Sequence, residues 1–442
     1  MKKFLLYSAI FVLVSGAPAL SQQKTWTLDE CINHAIDNNL QIKKQGLQTD
    51  IKKNSLVQSK IKLLPSLNAS ATENVTWGRN PDPTTYEFVE QRMMSNNFGI
   101  SGGTDIFNGL QNYNTIKRNQ YDLLSSEQDL QNAKEDLLLK VAVNYLQILL
   151  QKELVLVNTE QLEITKQQIE KTSKLVEAGS KALSELLLIE SQAAQEELQL
   201  INMQNLLDIY YLDITQLLEL PTPEGFDVAI PKINIDANAI IGETVEDIFL
   251  VASGMRPGVK SSELSLTASQ YDLKIARGMR SPRLSMSHFI STGYSDASKN
   301  YSFINQVKDK RSYGFGFSLN IPIFNGWQVN KTISNSKISV DNAQYTLDET
   351  KKQLYKNIQK AYTDALAALK KFAASEKAVI ASEESFRHSE QRFEVGLVTP
   401  VEYNESKNKL LKAQSELAQA KYEYVFKTKM LDFYKGIPLS LN

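Results

Sequence analysis

The tetrapeptide Ile-Phe-Asn-Gly stands at residues 106–109 and again at 323–326, an offset of 217. Sliding the chain over itself by that offset places Thr27 on Thr244, Pro65 on Pro282, Gly179 on Gly396 and Pro221 on Pro438. Proline and glycine restrict the backbone in opposite ways, so their coincidence at both ends and in the middle marks one structural unit written twice. The copies run over about 22–221 and 244–442, with the matched cores at 27–221 and 244–438. A linker, 222–243, joins them. It is proline-rich at its start and holds an extended-looking run at 226–235.

Each copy repeats one order of elements. A short helix opens it (28–38 or 245–255), and a helix of about two dozen residues follows (40–63 or 259–278). Pro65 or Pro282 then breaks the helical pattern. Two extended stretches separated by a polar loop span about 66–107 and 283–324. A very long helix follows, 110–178 or 327–395. A return helix covers 182–220 or 400–436.

The long helices carry the clearest periodicity. Ile358, Ala365, Phe372, Val379, Phe386 and Phe393 fall every seventh residue. Four residues before each stand Leu354, Ala361, Ala368, Ser375, Ser382 and Ser389. In copy one the matching positions are Val141, Ile148, Val155, Leu162, Ile169 and Val176, all apolar. A seven-residue apolar repeat is a coiled-coil seam, and small residues beside it allow close helix approach. Each long segment spans roughly 100 Å at 1.5 Å per residue. The second and return helices can lie end to end beside it, giving rods too elongated for a globular core.

In the last extended stretch Tyr313, Phe315, Phe317 and Leu319 alternate with Gly314, Gly316, Ser318 and Asn320. Leu284, Met286, His288 and Ile290 alternate more weakly with Ser285, Ser287 and Phe289, and in copy one Phe98 and Ile100 form the best apolar pair. The reading is four strands in two hairpins, with polar loops at 78–95 and 296–311. Strands near ten residues, apolar on one face, suit a transmembrane barrel with Tyr313, Phe315, Phe317 and Leu319 toward lipid. A water-facing sheet capping a coiled coil would leave those aromatics without a burial partner. Four strands cannot close an open-centred barrel, and bare edges are excluded from lipid. The chain is therefore expected to oligomerise, with the rods forming a helical tube beneath the barrel.

Composition narrows the function. Lys and Arg total 49 against 50 Asp and Glu, without the basic excess of a nucleic-acid binder. The one cysteine, Cys31, sits in a helical pattern and excludes an internal disulfide. His34, His288 and His388 are far apart, which argues against a metal site, and no cofactor motif or catalytic constellation stands out. Lys2, Lys3, the apolar run 4–14 and the small residues before 22 read as a secretory signal over 1–21. No later run is long and apolar enough for a transmembrane helix.

With the tandem repeat, the hairpin ending in Ile-Phe-Asn-Gly before a long helix, and the run Gln391-Arg392-Phe393-Glu394-Val395-Gly396-Leu397-Val398-Thr399 leading to Glu402 and Glu405, the chain resembles the TolC-type outer-membrane efflux proteins. The resemblance covers nearly all the chain after the signal. It implies a mainly α fold with a small antiparallel β part. Three chains would form a trimeric helical barrel continuous with a twelve-stranded transmembrane β-barrel. It implies an outer-membrane exit duct reaching into the periplasm, passive and not an enzyme. Its partners would be a periplasmic adaptor and an inner-membrane transporter, and its cargo drugs, small molecules or proteins. Position by position, it makes Glu402, Glu405 and Glu185 the acidic narrowing of the periplasmic entrance, with Phe393 beside them. It makes Gly179, Ser180, Lys181, Gly396, Leu397, Val398 and Thr399 the adaptor-docking tip. Val398 stands where some members carry a basic gate residue, and Lys181 is the basic alternative in copy one. Glu402 and Glu405, three apart, share a helix face. An ordinary solvated helix face is the competing account of both. A structural coiled-coil spacer or surface adhesin is the alternative for the whole chain, and an exported enzyme ranks last.

Overall fold

The computed structural model describes residues 25–81, 87–90, 92–232, 235, 243–298 and 301–440. The signal segment and most of 233–242 lie outside the described residues. Copy one contains β1 (Thr25–Trp26), α1 (Leu28–Asn38), α2 (Leu40–Ile61), β2 (Ser66–Thr76), β3 (Arg79–Pro81), β4 (Phe88–Glu90), β5 (Met93–Phe107), α3 (Gln111–Glu177) and α4 (Leu183–Leu217). The linker contributes β6 (Asp227–Val228). Copy two contains α5 (Val245–Met255), α6 (Pro257–Gly278), β7 (Arg283–Ser295), α7 (Phe303–Asp309), β8 (Ser312–Asn320), α8 (Gln328–Glu394) and α9 (Pro400–Lys435). No described helix is long and apolar enough to cross a membrane.

The repeated tetrapeptide is a corner. Gly109 and Leu110 have φ of 65° and 60°, and Gly326 and Trp327 have φ of 59° and 66°. Two successive left-handed residues turn the chain from the strand side into the long helix. A side chain on Gly109 would also sit 2.3 Å from the Gly278 carbonyl. Each long helix then runs 67 residues, about 100 Å.

The short opening helices start with the same capping box, Thr27 with Glu30 and Thr244 with Asp247. They pack on the middle of the long helices. Leu28, Cys31, Ile32 and Ala35 meet Val141, Tyr145, Ile148 and Leu149 in one core. Ile248, Ala252 and Val259 meet Leu354, Ile358, Ala361 and Ala365 in the other. Cys31 is fully buried, and burial pushes its thiol up to about 12.

At the same level the composite rods are spliced. Asn39, the N-cap of α2, donates its amide to the Leu217 carbonyl at the end of α4, 3.1 Å away. Arg256 is the same position of copy two. It donates to the Phe433 carbonyl at the end of α9, with its guanidinium 3.9 Å over the Phe433 ring. Glu135 pairs with it at 3.1 Å. A helix end buried without a donor leaves carbonyls unsatisfied, and each splice supplies that donor.

The two hairpins form one sheet of order β2-β5-β7-β8, antiparallel throughout. Its register puts Leu67, Ala69, Phe98, Ile100, Ile290, Tyr313, Phe315, Phe317 and Leu319 on one face. Ser70, Asn97, Ser101, Ser291, Ser318 and Asn320 lie on the other. Both edges, β2 and β8, have no strand partner among the described residues. Four details depart from the sequence reading. The loop after β2 holds the β3–β4 ribbon, and the loop after β7 holds α7. The last strand stops at Asn320, leaving Ile323 94% exposed. Among the described linker residues only Asp227 and Val228 are strand, paired with Thr25 and Trp26.

The seam residues Val141, Ile148, Leu162, Ile358, Ala365 and Val379 are buried. Copy one differs at the intervening positions. Gln151, Asn158, Thr165 and Thr172 are buried there, opposite in the repeat to Ala368, Ser375, Ser382 and Ser389. Larger polar side chains thus fill one seam where small ones fill the other.

Candidate functional site

The two helical hairpins turn at the end of the molecule away from the sheet, and both turns are built alike. Gly179 and Gly396 adopt φ of 70° and 76°. The N–H of Ser180 bonds to Leu175 O and that of Leu397 to Arg392 O, both at 2.8 Å. This six-to-one bond over a left-handed glycine stops each long helix cleanly. It presents Ser180 and Leu397 at the tip.

The return helices begin differently. Thr399 caps α9 with a capping box. Its N–H donates to Glu402 Oε2 at 3.0 Å, and its hydroxyl accepts from Glu402 N at 3.3 Å. The Thr399 N–H foremost, then the Thr399 hydroxyl donating to the same oxygen at 3.1 Å, hold the Glu402 carboxyl below its usual range. The equivalent cap in copy one is Ala182, whose methyl offers no hydrogen bond. Glu185, the counterpart of Glu402, turns instead to Lys181 at 2.9 Å. Lys181 also lies 4.8 Å over the Phe393 ring. Glu405 pairs with Lys409 at 2.7 Å on the exposed face of α9. Glu402, Glu405, Glu185, Lys181 and Phe393 therefore all lie within two turns of the tips. Val398 has no charge to join them.

Two features escaped the sequence. Phe393 stacks on Tyr403 with centroids 4.6 Å apart, and Phe386 adds a second ring at 5.4 Å. Burial pushes the Tyr403 hydroxyl up to about 12. Behind this cluster, Lys407 on α9 is 1% exposed, 3.0 Å from Glu196 on α4. Thr165 of α3 hydrogen-bonds both, and Gln192 donates to Glu196 at 3.0 Å. Burial pushes the Lys407 ammonium down from its usual range, opposed by Glu196. This polar knot ties copy two to both helices of the copy-one hairpin, about three turns above the tip. A lone Lys and Glu on separate helices give no spacing signal, so sequence could not pair them.

Among the described residues no group of three His, Cys, Asp or Glu is placed to hold a metal ion. One cleft of about 430 Å³ runs along a helix–helix groove between Arg256, Glu135, Glu349 and Phe433.

The family profile of outer membrane efflux proteins matches residues 31–219 and 252–434, the two copies almost end to end. The chain belongs to the outer membrane efflux protein family. No curated protein sequence is similar enough to match. Among solved structures, the CmeC outer membrane channel of Campylobacter jejuni superposes with a TM-score of 0.80 at 17% identity, over 98% of this chain and 94% of that one. The outer membrane protein VceC of Vibrio cholerae gives 0.78 at 15% identity, over 92% and 96%. The MtrE outer membrane channel of Neisseria gonorrhoeae, solved in its open state, gives 0.73 at 15%, over 92% and 88%. The fold is that of the family, mostly helical with a small four-stranded antiparallel sheet.

Proposed function

We propose that three copies of this chain assemble into a passive exit duct across the outer membrane and periplasm. The observation that carries this is the four-stranded sheet. It is mainly apolar on one face, mainly polar on the other, and has no partner at either edge among the described residues. Strand edges must be paired inside hydrocarbon, because no water is there to bond them. Pairing β8 of one copy with β2 of the next satisfies both edges and turns Tyr313, Phe315, Phe317 and Leu319 to lipid. The long rods then ring the same axis. The duct would dock a periplasmic adaptor at Gly179, Ser180, Lys181, Gly396, Leu397, Val398 and Thr399, and receive cargo from an inner-membrane transporter. Glu402 and Glu405, with Glu185, would line the entrance and favour cations there.

Unheated electrophoresis of the membrane fraction, with micrographs of the purified particle, tests the assembly. A detergent-resistant trimer in the outer membrane, seen as a hollow elongated particle, is the expected result. A compact monomer would overturn it. A coiled-coil spacer would give an elongated particle without channel conductance.

A further inference from the structure

The β7–β8 connection ends in a folded element that the duct does not require. Gln306 is 2% exposed and locks α7 in place. Its Nε2 donates to Ser295 O at 3.0 Å and Tyr301 O at 3.1 Å. Its Oε1 accepts from Ser295 N at 3.0 Å and Lys310 Nζ at 2.8 Å. Thr292 donates its hydroxyl to Val307 O at 2.6 Å, and Phe303 packs on Phe98 and Tyr294 at centroid distances of 6.3 and 5.3 Å.

Those contacts say which side of the sheet α7 covers. Thr292 is the cross-strand partner of Phe98, and such partners share a face. Thr292 and Tyr294 share parity with Leu284, Met286 and Ile290. The helix therefore lies on the apolar face, over the two central strands β5 and β7. Copies joining at β2 and β8 would leave it uncovered. Thr292 is eight residues beyond Leu284 along β7, about 27 Å of strand. With the usual tilt that is about 20 Å of height, close to the top of an apolar band about 25 Å tall.

On its outer side α7 presents Ile304, 74% exposed; Tyr301 just before the helix, and Phe303 beyond its contact with Phe98 and Tyr294, are half exposed. Directly after them come Lys308, Lys310 and Arg311, all exposed, against the single acid Asp309. Apolar side chains followed at once by cations match a membrane border, where chains end and phosphates begin.

We propose that α7 is a membrane-border anchor. Ile304, Tyr301 and Phe303 would enter the outer leaflet, and Lys308 and Arg311 would bind phosphate-bearing lipid headgroups. This rests on the barrel reading above. Lys310 is already held by Gln306, and Arg311 Nε donates to Lys308 O at 2.8 Å, leaving its other nitrogens for the headgroup.

Spin labels test it on the full trimer in vesicles of phosphatidylethanolamine and phosphatidylglycerol. Cys31 is buried, so Ile304→Cys and Phe315→Cys can each be labelled alone. The anchor predicts that both labels meet oxygen more often than a water-soluble nickel complex. Oxygen at 315 with nickel at 304 would overturn the anchor and leave the barrel standing. Nickel at 315 would overturn both. In native mass spectrometry, Lys308→Gln should lower phosphatidylglycerol retention relative to phosphatidylcholine about fivefold, the factor one such cation carries near an anionic surface. Unchanged retention overturns the headgroup contact.

Discussion

Glu402 serves the local fold whatever else it does, because its carboxylate closes the capping box that starts α9. Replacing it with alanine would confuse loss of charge with loss of a cap worth about 1 kcal/mol. Glutamine keeps the box, since its amide oxygen can accept from Thr399 N. Glu402→Gln with Glu405→Gln should therefore leave trimer stability nearly unchanged while cation over anion permeability in planar bilayers falls toward unity. Unchanged permeability would return both residues to the solvated helix face. The asymmetry at Glu185 has the same root. Without a capping hydroxyl at Ala182, its carboxylate is free to bond Lys181.

At the scale of elements, two polar ties hold helices together. Lys407 and Glu196 are buried, and removing one partner strands the other charge, at a cost of about 3–5 kcal/mol. Lys407→Met should lower the dissociation temperature of the detergent-resistant oligomer sharply. Lys407→Met with Glu196→Leu should recover most of that loss, and no recovery would mean the knot acts through something other than its charges. Asp227 ties β6 to α3 and α4. Burial works to raise its pKa, but hydrogen bonds from Lys152, Tyr211 and the Val228 N–H outweigh it and hold the carboxyl below its usual range. A carboxyl depressed in the fold stabilises above its unfolded pKa of about 3.9. That contribution disappears as pH falls through the lower folded value. Asp227→Asn should cost about 1–3 kcal/mol at neutral pH. It should also flatten the loss of stability between about pH 5 and pH 2, measured by urea unfolding followed through helical circular dichroism.

At the scale of the whole molecule, the proposed assembly turns on the sheet. Phe315 and Phe317 are 77% and 62% exposed in the single chain, and only a lipid or protein surface outside it can cover them. Phe315→Asp should weaken membrane assembly by about 2–4 kcal/mol, the cost of a charge on a lipid face near the midplane. Oligomer yield on unheated gels reads that loss. Normal yield would place Phe315 in water.

The sequence by itself determined the duplication, the short opening helices to the residue, the long helices to within a few residues at each end, and the alternation of β8. Each is a local pattern: an offset, a period of seven, a period of two, a helix-breaking proline. Tertiary structure alone decided the rest. The Lys407–Glu196–Thr165 knot joins residues more than 200 positions apart, which no period records. The polar filling of the copy-one seam was hidden because Gln and Thr look like surface residues until a neighbouring helix covers them. The α7 helix is too short to show a helical period, and its buried Gln306 reads as a loop residue. It exists because one side chain gathers the backbone groups of the loop around it, a packing fact that appears only when the chain is folded.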